Sequence, residues 1–432
     1  MSLPVRPEIG KEQYLSKTKG IGGKLRGKPE DFIVKEIINL NEKTHWIWSK
    51  KNNQGKHSIA KITANNWDTH VLVKELAKEL NIGQKAIGFA GTKDKRAVTT
   101  QHFSLMAKQE SIEKINLKNV DIEYCHSTIK PIRLGNLIGN KFTIKITNIE
   151  KNGSNAGEII NELKDGFPNY FGIQRFGAVR PITHLIGEKI IEGDYEGAVW
   201  KYLCDGNEKF AGFEARQKLD DTRNLETALK EYPRSMLFER QMIGYLSRKK
   251  DDYIGALRQL PENLSKMFVH AYQSSIFNQT VDMRLKMGEK LHVPLIGDNV
   301  IPIDNYGGPD QRRVIEVTEF NQNKLKRRCK EGKAWVVGLL PGLESKYTKG
   351  LQGDLEKKIM NKEKISFKDY RIKENPNFTS LGMYRPLCQK INDLEWSIEE
   401  NGDVVLSFWL HKGTYATSFL REVMKSKDVR AY

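Results

Sequence analysis

Cysteine is scarce and scattered. The four thiols, Cys125, Cys204, Cys329 and Cys388, stand far apart in a chain of 432 residues and form no CxxC pair. That spacing offers neither a contiguous zinc motif nor a disulfide framework, so the cysteines read as reduced thiols. HExxH is absent and His184, His270 and His411 are isolated, which leaves metal catalysis without support in the sequence. No apolar run approaches the roughly eighteen residues that cross a bilayer. The opening residues Met1 to Arg6 lack the apolar core of a signal peptide. The expectation is a soluble cytoplasmic protein with no metal and no membrane contact.

A phosphate-binding loop is missing as well. Gly22-Gly23-Lys24-Leu25-Arg26-Gly27-Lys28 fits the GxxxxGK half of such a loop, but Pro29 follows where Ser or Thr should hold magnesium. The segment also precedes the first convincing strand instead of joining a strand to a helix. It reads as a flexible basic arm able to meet phosphates, or as a solvated leader. Acidic residues are in deficit too: 71 Lys and Arg face 54 Asp and Glu, a net charge of +17. Such an excess points to a polyanion, with nucleic acid the natural candidate.

At 432 residues the chain is long enough for two cores. Residues 31–37 and 44–50 are β-rich runs that could pair. Asp68 or Asn66 can cap a helix in which Leu72, Leu76 and Leu80 recur every four residues and Asn81 and Gly83 mark the end. Val98 to Leu105, Lys141 to Thr147 and Val404 to Leu410 read as strands, the second with clean period-two alternation. The middle of the chain changes character. Long helical patterns appear, including one from Met267 to Met287, and so does the basic run Lys324-Leu325-Lys326-Arg327-Arg328. Mixed α+β architecture follows, with a largely antiparallel sheet interrupted by an inserted domain. No internal repeat of solenoid period is present.

One segment carries chemistry. Gly91-Thr92-Lys93-Asp94-Lys95-Arg96-Ala97-Val98-Thr99-Thr100-Gln101 sets Asp94 among three cations directly after a small-residue turn. Nearby positive charge favours an ionised carboxylate, suited to act as nucleophile or base. A lone charged turn of this kind is more often a solvent turn. Two further islands alter that balance: Asn169-Tyr170-Phe171-Gly172-Ile173-Gln174-Arg175-Phe176-Gly177 and Gly413-Thr414-Tyr415-Ala416-Thr417-Ser418-Phe419-Leu420-Arg421-Glu422. Each combines aromatic surface, hydrogen-bonding groups and a cation, the parts that hold an unstacked base. For Phe171, Phe176 and Phe419 taken singly, core packing is the ordinary role.

Together these islands resemble the motifs of the TruD family of tRNA pseudouridine synthases. Asp31-Phe32-Ile33-Val34-Lys35-Glu36 is similar to that family's early strand, and Val269 to Asn278 to its helix in the inserted domain. The matches keep the family's order along nearly the whole chain. The resemblance implies a pseudouridine-synthase-type α+β fold, a largely antiparallel mixed sheet flanked by helices. It implies a catalytic domain drawn from residues 1–181 and 375–432, with an inserted α/β TRUD-type domain over 182–374. It implies Asp94 as catalytic nucleophile and Phe32, Asn169 and Tyr415 as residues that touch the target uridine, with Lys93, Phe171 and Arg421 in supporting places. Arg421 would be the cation paired with Asp94, or else a helix-surface cation facing Glu422. The implied reaction converts a uridine of tRNA, position 13 in the D arm, to pseudouridine with no cofactor and no obligatory protein partner. A non-catalytic RNA-binding protein would share the charge and the aromatics. An RNA methyltransferase would need a pocket for S-adenosylmethionine, for which no Gly-rich strand-to-helix turn is found.

Overall fold

The structure is a computed structural model that describes residues 9–10, 12–39, 56–93, 95–133, 136–149, 153–206, 208, 212–304, 307–428 and 431. In chain order, the strands named below are β1 (Gly22–Lys24), β2 (Phe32–Ile38), β3 (His57–Asn65), β4 (Ile87–Phe89), β5 (Val98–Leu105), β6 (Val120–Thr128) and β7 (Leu137–Ile149). They continue with β8 (Asn299–Pro302), β9 (Ile315–Glu316), β10 (Ala334–Leu340), β11 (Met383–Pro386), β12 (Asn392–Ile398) and β13 (Val404–His411). The helices named are α1 (Thr69–Glu79), α2 (Thr183–Ile191), α3 (Glu262–Lys286), α4 (Gln322–Lys330) and α5 (Ala416–Met424). The chain divides into two compact units. A helical unit comprises Met1–Tyr14, Pro168–Pro302 and Gln311–Cys388; a sheet unit comprises Leu15–Phe167, Ile303–Asp310 and Gln389–Tyr432.

The sheet unit is built on a sheet of order β12-β13-β7-β2-β5-β3-β6, with β1 added to β7 and β4 to β5. Its pairings are antiparallel except β2 with β5, which run parallel. Strand alternation produces the core directly: Val404, Leu406, Phe408 and Leu410 of β13 are buried, as are Phe142, Ile144 and Ile146 of the neighbouring β7. Phe419, Leu420 and Val423 of α5 close the same core, which also contains Phe32 and Val34. Because β13 pairs with β7 along its whole length, the last part of the chain completes a sheet begun before residue 40.

Helix α1 starts where its cap residue dictates. The Asp68 carboxylate accepts from the backbone N–H groups of His70 and Val71 at 2.8 and 3.1 Å. Its apolar stripe, Leu72, Val73, Leu76 and Ala77, packs with Phe103 and Leu105 of β5. The expected strand at 44–50 lies outside the described residues. The glycine-rich segment read as a flexible arm is instead a built element. Gly22–Lys24 pairs with β7 while Ile21 and Leu25 are buried. Glu162 accepts from the Lys17 N–H at 2.7 Å, Glu422 from the Ser16 N–H at 2.9 Å, and Lys425 donates to the Ser16 and Thr18 carbonyls. Those anchors come from distant segments, which a local reading of glycines and lysines does not register.

The helical unit packs α2 and α3 with the helices over 195–257 around a core that includes Ile186, Ile190, Phe268, Val269, Tyr272 and Ile276. Gly187 makes the close approach of α2 and α3 possible, since a Cβ there would lie 2.0 Å from the Phe268 carbonyl oxygen. A small antiparallel sheet, β9-β8-β10-β11, lies in the same unit. Helix α3 buries polar side chains along much of its length. Arg284 is fully enclosed and held two-pronged by Asp298 at 2.9 and 2.7 Å, which satisfies a charge that burial would otherwise penalise.

Candidate functional site

The segment before Asp94 is fixed by a buried polar network in the sheet unit. Lys93 turns inward: its Nζ lies 3.2 Å from Glu36 Oε1, with the Lys93 side chain 6% exposed and Glu36 at 0%. The Lys93 backbone N–H donates to Thr69 Oγ1 at 2.9 Å, and that hydroxyl donates to Gln101 Oε1 at 3.1 Å. Gln101 Nε2 donates in turn to the Gly91 carbonyl at 2.7 Å. The turn is thus tied to β2 by an ion pair, to the start of α1 by a hydroxyl and to β5 by an amide. Asp94 itself lies outside the described residues. Lys95 and Arg96, the other two cations of the motif, are exposed.

Glu36 shows how such a charge survives burial. Desolvation pushes its carboxyl upward, but hydrogen bonding from His102 and the charge of Lys93 outweigh it and hold the group below the ordinary glutamate range. The His102 backbone N–H donates to Glu36 Oε2 at 3.0 Å. Glu36, Thr69 and Gln101 had no role in the sequence reading. Two of them were nevertheless inside the quoted motifs, Glu36 closing the D-F-I-V-K-E run and Gln101 closing the Asp94 segment.

Phe32 opens β2, four residues before Glu36 and therefore on the same side of the strand. It is 3% exposed. The Arg26 guanidinium carbon sits 4.3 Å above its ring and Phe142 meets it edge-on at 6.3 Å, so the aromatic is capped by a cation rather than open to solvent. Tyr415 stands immediately before α5 and is half-buried, with its backbone carbonyl accepting from the Ser418 N–H at 3.1 Å. Arg421 is 6% exposed on α5, with Nη1 4.0 Å from Glu422 Oε1. It is a buried cation and does not fit the helix-surface alternative. Burial pushes Glu422 above its ordinary range against hydrogen bonds from the Ser16 and Leu15 N–H groups.

Asn169 and Phe171 belong to the helical unit, where a different cation organises them. Arg385 Nε donates to the Asn169 carbonyl at 3.2 Å and Nη2 to Asn169 Oδ1 at 2.7 Å, while its guanidinium carbon lies 3.9 Å from the Phe171 ring centroid. Asn169 Nδ2 donates to the Pro386 carbonyl at 2.9 Å, so both ends of this buried amide have internal partners. Asn278 of α3 then grips Phe171 on both sides: Oδ1 accepts from its N–H at 2.9 Å and Nδ2 donates to its carbonyl at 3.0 Å. Phe176 and Phe419 are fully buried, as ordinary packing requires. Sequence reasoning missed Arg385 and Asn278. Arg385 lies 216 residues from Asn169 and in none of the quoted motifs, whereas Asn278 ends the V-H-A-Y-Q-S-S-I-F-N helix.

Among the described residues no cluster of three or more His, Cys, Asp or Glu side chains could hold a metal ion. No helix there is long and apolar enough to cross a membrane. Comparison with known proteins adds a consistent result. The family model described as tRNA pseudouridine synthase D (TruD) matches residues 8–423. The chain is 37% identical over 441 residues to a probable tRNA pseudouridine synthase D of Methanosarcina acetivorans, covering 98% of each. It is 39% identical over 422 residues to the protein of the same description from Picrophilus torridus, covering 97% of each. The crystal structure of a putative tRNA pseudouridine synthase D from Methanosarcina mazei superposes with a TM-score of 0.85 at 36% identity, covering 100% of both chains.

Proposed function

Because the chain belongs to the TruD family of tRNA pseudouridine synthases, isomerases that act on uridine within tRNA, we propose that its target is uridine 13 of the D arm, that Asp94 is the nucleophile, and that no cofactor takes part. The observation that carries the reading is the anchored turn. Glu36, Thr69 and Gln101 hold Gly91 and Lys93 from three separate elements, a rigidity that a solvent turn does not need and a catalytic carboxylate does.

The reaction is an internal rearrangement. The N1–C1′ glycosidic bond breaks, a C5–C1′ bond forms, the C5 proton leaves and N1 gains a proton, so product and substrate have the same composition. An ionised carboxylate can serve by attacking C1′, by adding to C6, or by removing the C2′ proton to form a glycal. A primary isotope effect on C2′-deuterated uridine marks the third route. In each, the uracil detaches and turns while bound. Aromatic surface tolerates that rotation better than a full set of directional hydrogen bonds.

Phe32, Asn169 and Tyr415 are assigned to the target uridine on their positions in the matched motifs. Their surroundings divide the work. Tyr415 is the half-buried aromatic, suited to contact the base directly; Phe32 reaches a base only alongside the Arg26 guanidinium that covers it. With its amide held by Arg385 and the Pro386 carbonyl, Asn169 meets the uridine from a fixed position. Arg421 is the buried cation assigned to the Asp94 carboxylate. Extruding a stacked uridine costs a few kcal/mol, which the positive surface offsets by binding phosphates. A soluble cytoplasmic enzyme acting without a protein partner completes the reading. The test is incubation of a tRNA transcript with the protein, followed by chemical labelling specific for pseudouridine and primer extension. A single stop one nucleotide 3′ to position 13, with no change in tRNA mass before labelling, supports the proposal; a stop that maps to another uridine overturns the choice of position.

A further inference from the structure

Resting on the tRNA reading above, we propose that α4 and the turn that precedes it form a second RNA-binding surface, in which Phe320 stacks on an unpaired base and the α4 cations bind the flanking phosphates. Phe320 is 100% exposed. Burial would favour hiding a phenyl ring of this size, and the chain here does the reverse.

The exposure is built in. The Thr318 N–H donates to Asn321 Oδ1 at 2.9 Å, Asn321 Nδ2 donates to the Glu316 carbonyl at 2.9 Å, and the Asn321 and Gln322 N–H groups return to the Thr318 carbonyl. Val317, 1% exposed, exchanges backbone hydrogen bonds with Gly297 and Asp298 on the inner side. A turn closed this way displays Phe320 outward at low entropic cost, as a stacking platform requires.

Charge fills in the rest. Between residues 312 and 333 the sequence carries eight Lys and Arg against three Glu, a dense share of the net +17. On α4, Leu325 and Cys329, four residues apart, are the buried pair that seats the helix against β10. The remaining faces present Lys324, Arg327 and Lys330, with Arg327 72% exposed and its Nε 4.0 Å from a Glu331 carboxylate oxygen. Cations in the last turn of a helix complement its dipole, which accounts for Arg327, Arg328 and Lys330 without any ligand. It does not account for Lys324 near the start of the helix or for the bared Phe320 ring in the turn before it. A stacking aromatic beside a cationic track is the combination that single-stranded nucleic acid recognises.

The test compares Phe320→Ala and the charge-removing pair Lys324→Gln, Lys326→Gln with the parent protein on a tRNA transcript. It reads kcat, KM and the salt dependence of tRNA binding. Removing one base–aromatic stack weakens binding roughly tenfold for Phe320→Ala, within the range known for such stacking, with kcat at saturating tRNA and thermal stability unchanged. The lysine pair lowers the log–log salt slope by about 0.7 to 0.9 for each phosphate that the variant no longer neutralises. Unchanged KM and unchanged slope in both variants overturn the proposal. So does a shift in sedimentation of the free protein with tRNA affinity intact, which assigns Phe320 to a protein interface. Failure of the parent protein to modify tRNA defeats the functional reading instead, and the parallel assay of that protein separates the two failures.

Discussion

Lys93 and Glu36 invite the most demanding perturbation. Both side chains are almost wholly removed from solvent and stand 3.2 Å apart. Replacing Lys93 with Met preserves most of the volume but strands a carboxylate that relied on the lysine charge. Breaking a buried pair from one side costs about 3–5 kcal/mol, because the remaining charge keeps its desolvation penalty. Replacing both, as Lys93→Met with Glu36→Gln, removes both charges and restores much of that stability, so a double-mutant cycle in urea shows strong coupling. Activity responds separately. Lys93 adjoins Asp94, and a displacement of order 1 Å in a reacting group reduces turnover by about a hundredfold. Single-turnover pseudouridine formation should therefore fall in the single variant while tRNA affinity holds. A cost below about 1 kcal/mol for Lys93→Met, or strict additivity in the cycle, would refute the claim that this pair is desolvated and anchors the turn.

Acid sensitivity follows from the same carboxylate. Glu36 is held below its ordinary range in the folded protein, so its contribution is present above the unfolded glutamate pKa of about 4.3 and fades as pH falls through its lower folded value. Urea midpoints of the parent should decline over that acid window more steeply than those of Glu36→Gln; parallel profiles would contradict the assignment. Arg385→Ala leaves Asn169 Oδ1 short of its donor in a buried site, at a cost of roughly 1–3 kcal/mol, and it uncovers one face of Phe171. A urea midpoint within error of the parent would show that Arg385 is dispensable. Phe32→Ala empties a core position for about 3–5 kcal/mol, whereas Phe32→Leu retains the fold. If Phe32→Leu keeps full kcat/KM, the residue is a packing aromatic without a part in base recognition.

What the sequence disclosed was what lies close together in it. The cap at Asp68, the strand from Val98 to Leu105 and the alternation through Ile144 are settled by neighbours one to four residues away, and the structure realises them at those residues. The built segment around Gly22 escaped notice because its anchors, Glu162, Glu422 and Lys425, are more than a hundred residues distant. Glu36 and Lys93 illustrate the same limit, since 57 residues separate the two halves of one ion pair. Lys93 read locally is one of three cations around an aspartate; in the fold it faces away from solvent and pairs with Glu36. Arg385 is the extreme case, an isolated residue of an ordinary strand until Asn169 and Phe171 meet it. Motif order identified the family, and only three-dimensional pairing showed which residues support the motifs.

The most direct measurement concerns Asp94. A purified Asp94→Asn variant should bind tRNA with the parent's affinity, since the amide is nearly isosteric and the anchors at Gly91 and Lys93 remain. Mapping of treated tRNA by pseudouridine-specific labelling should then show no conversion, even at enzyme in excess over substrate. Retained pseudouridine formation by that variant would contradict the assignment of Asp94 as the nucleophile.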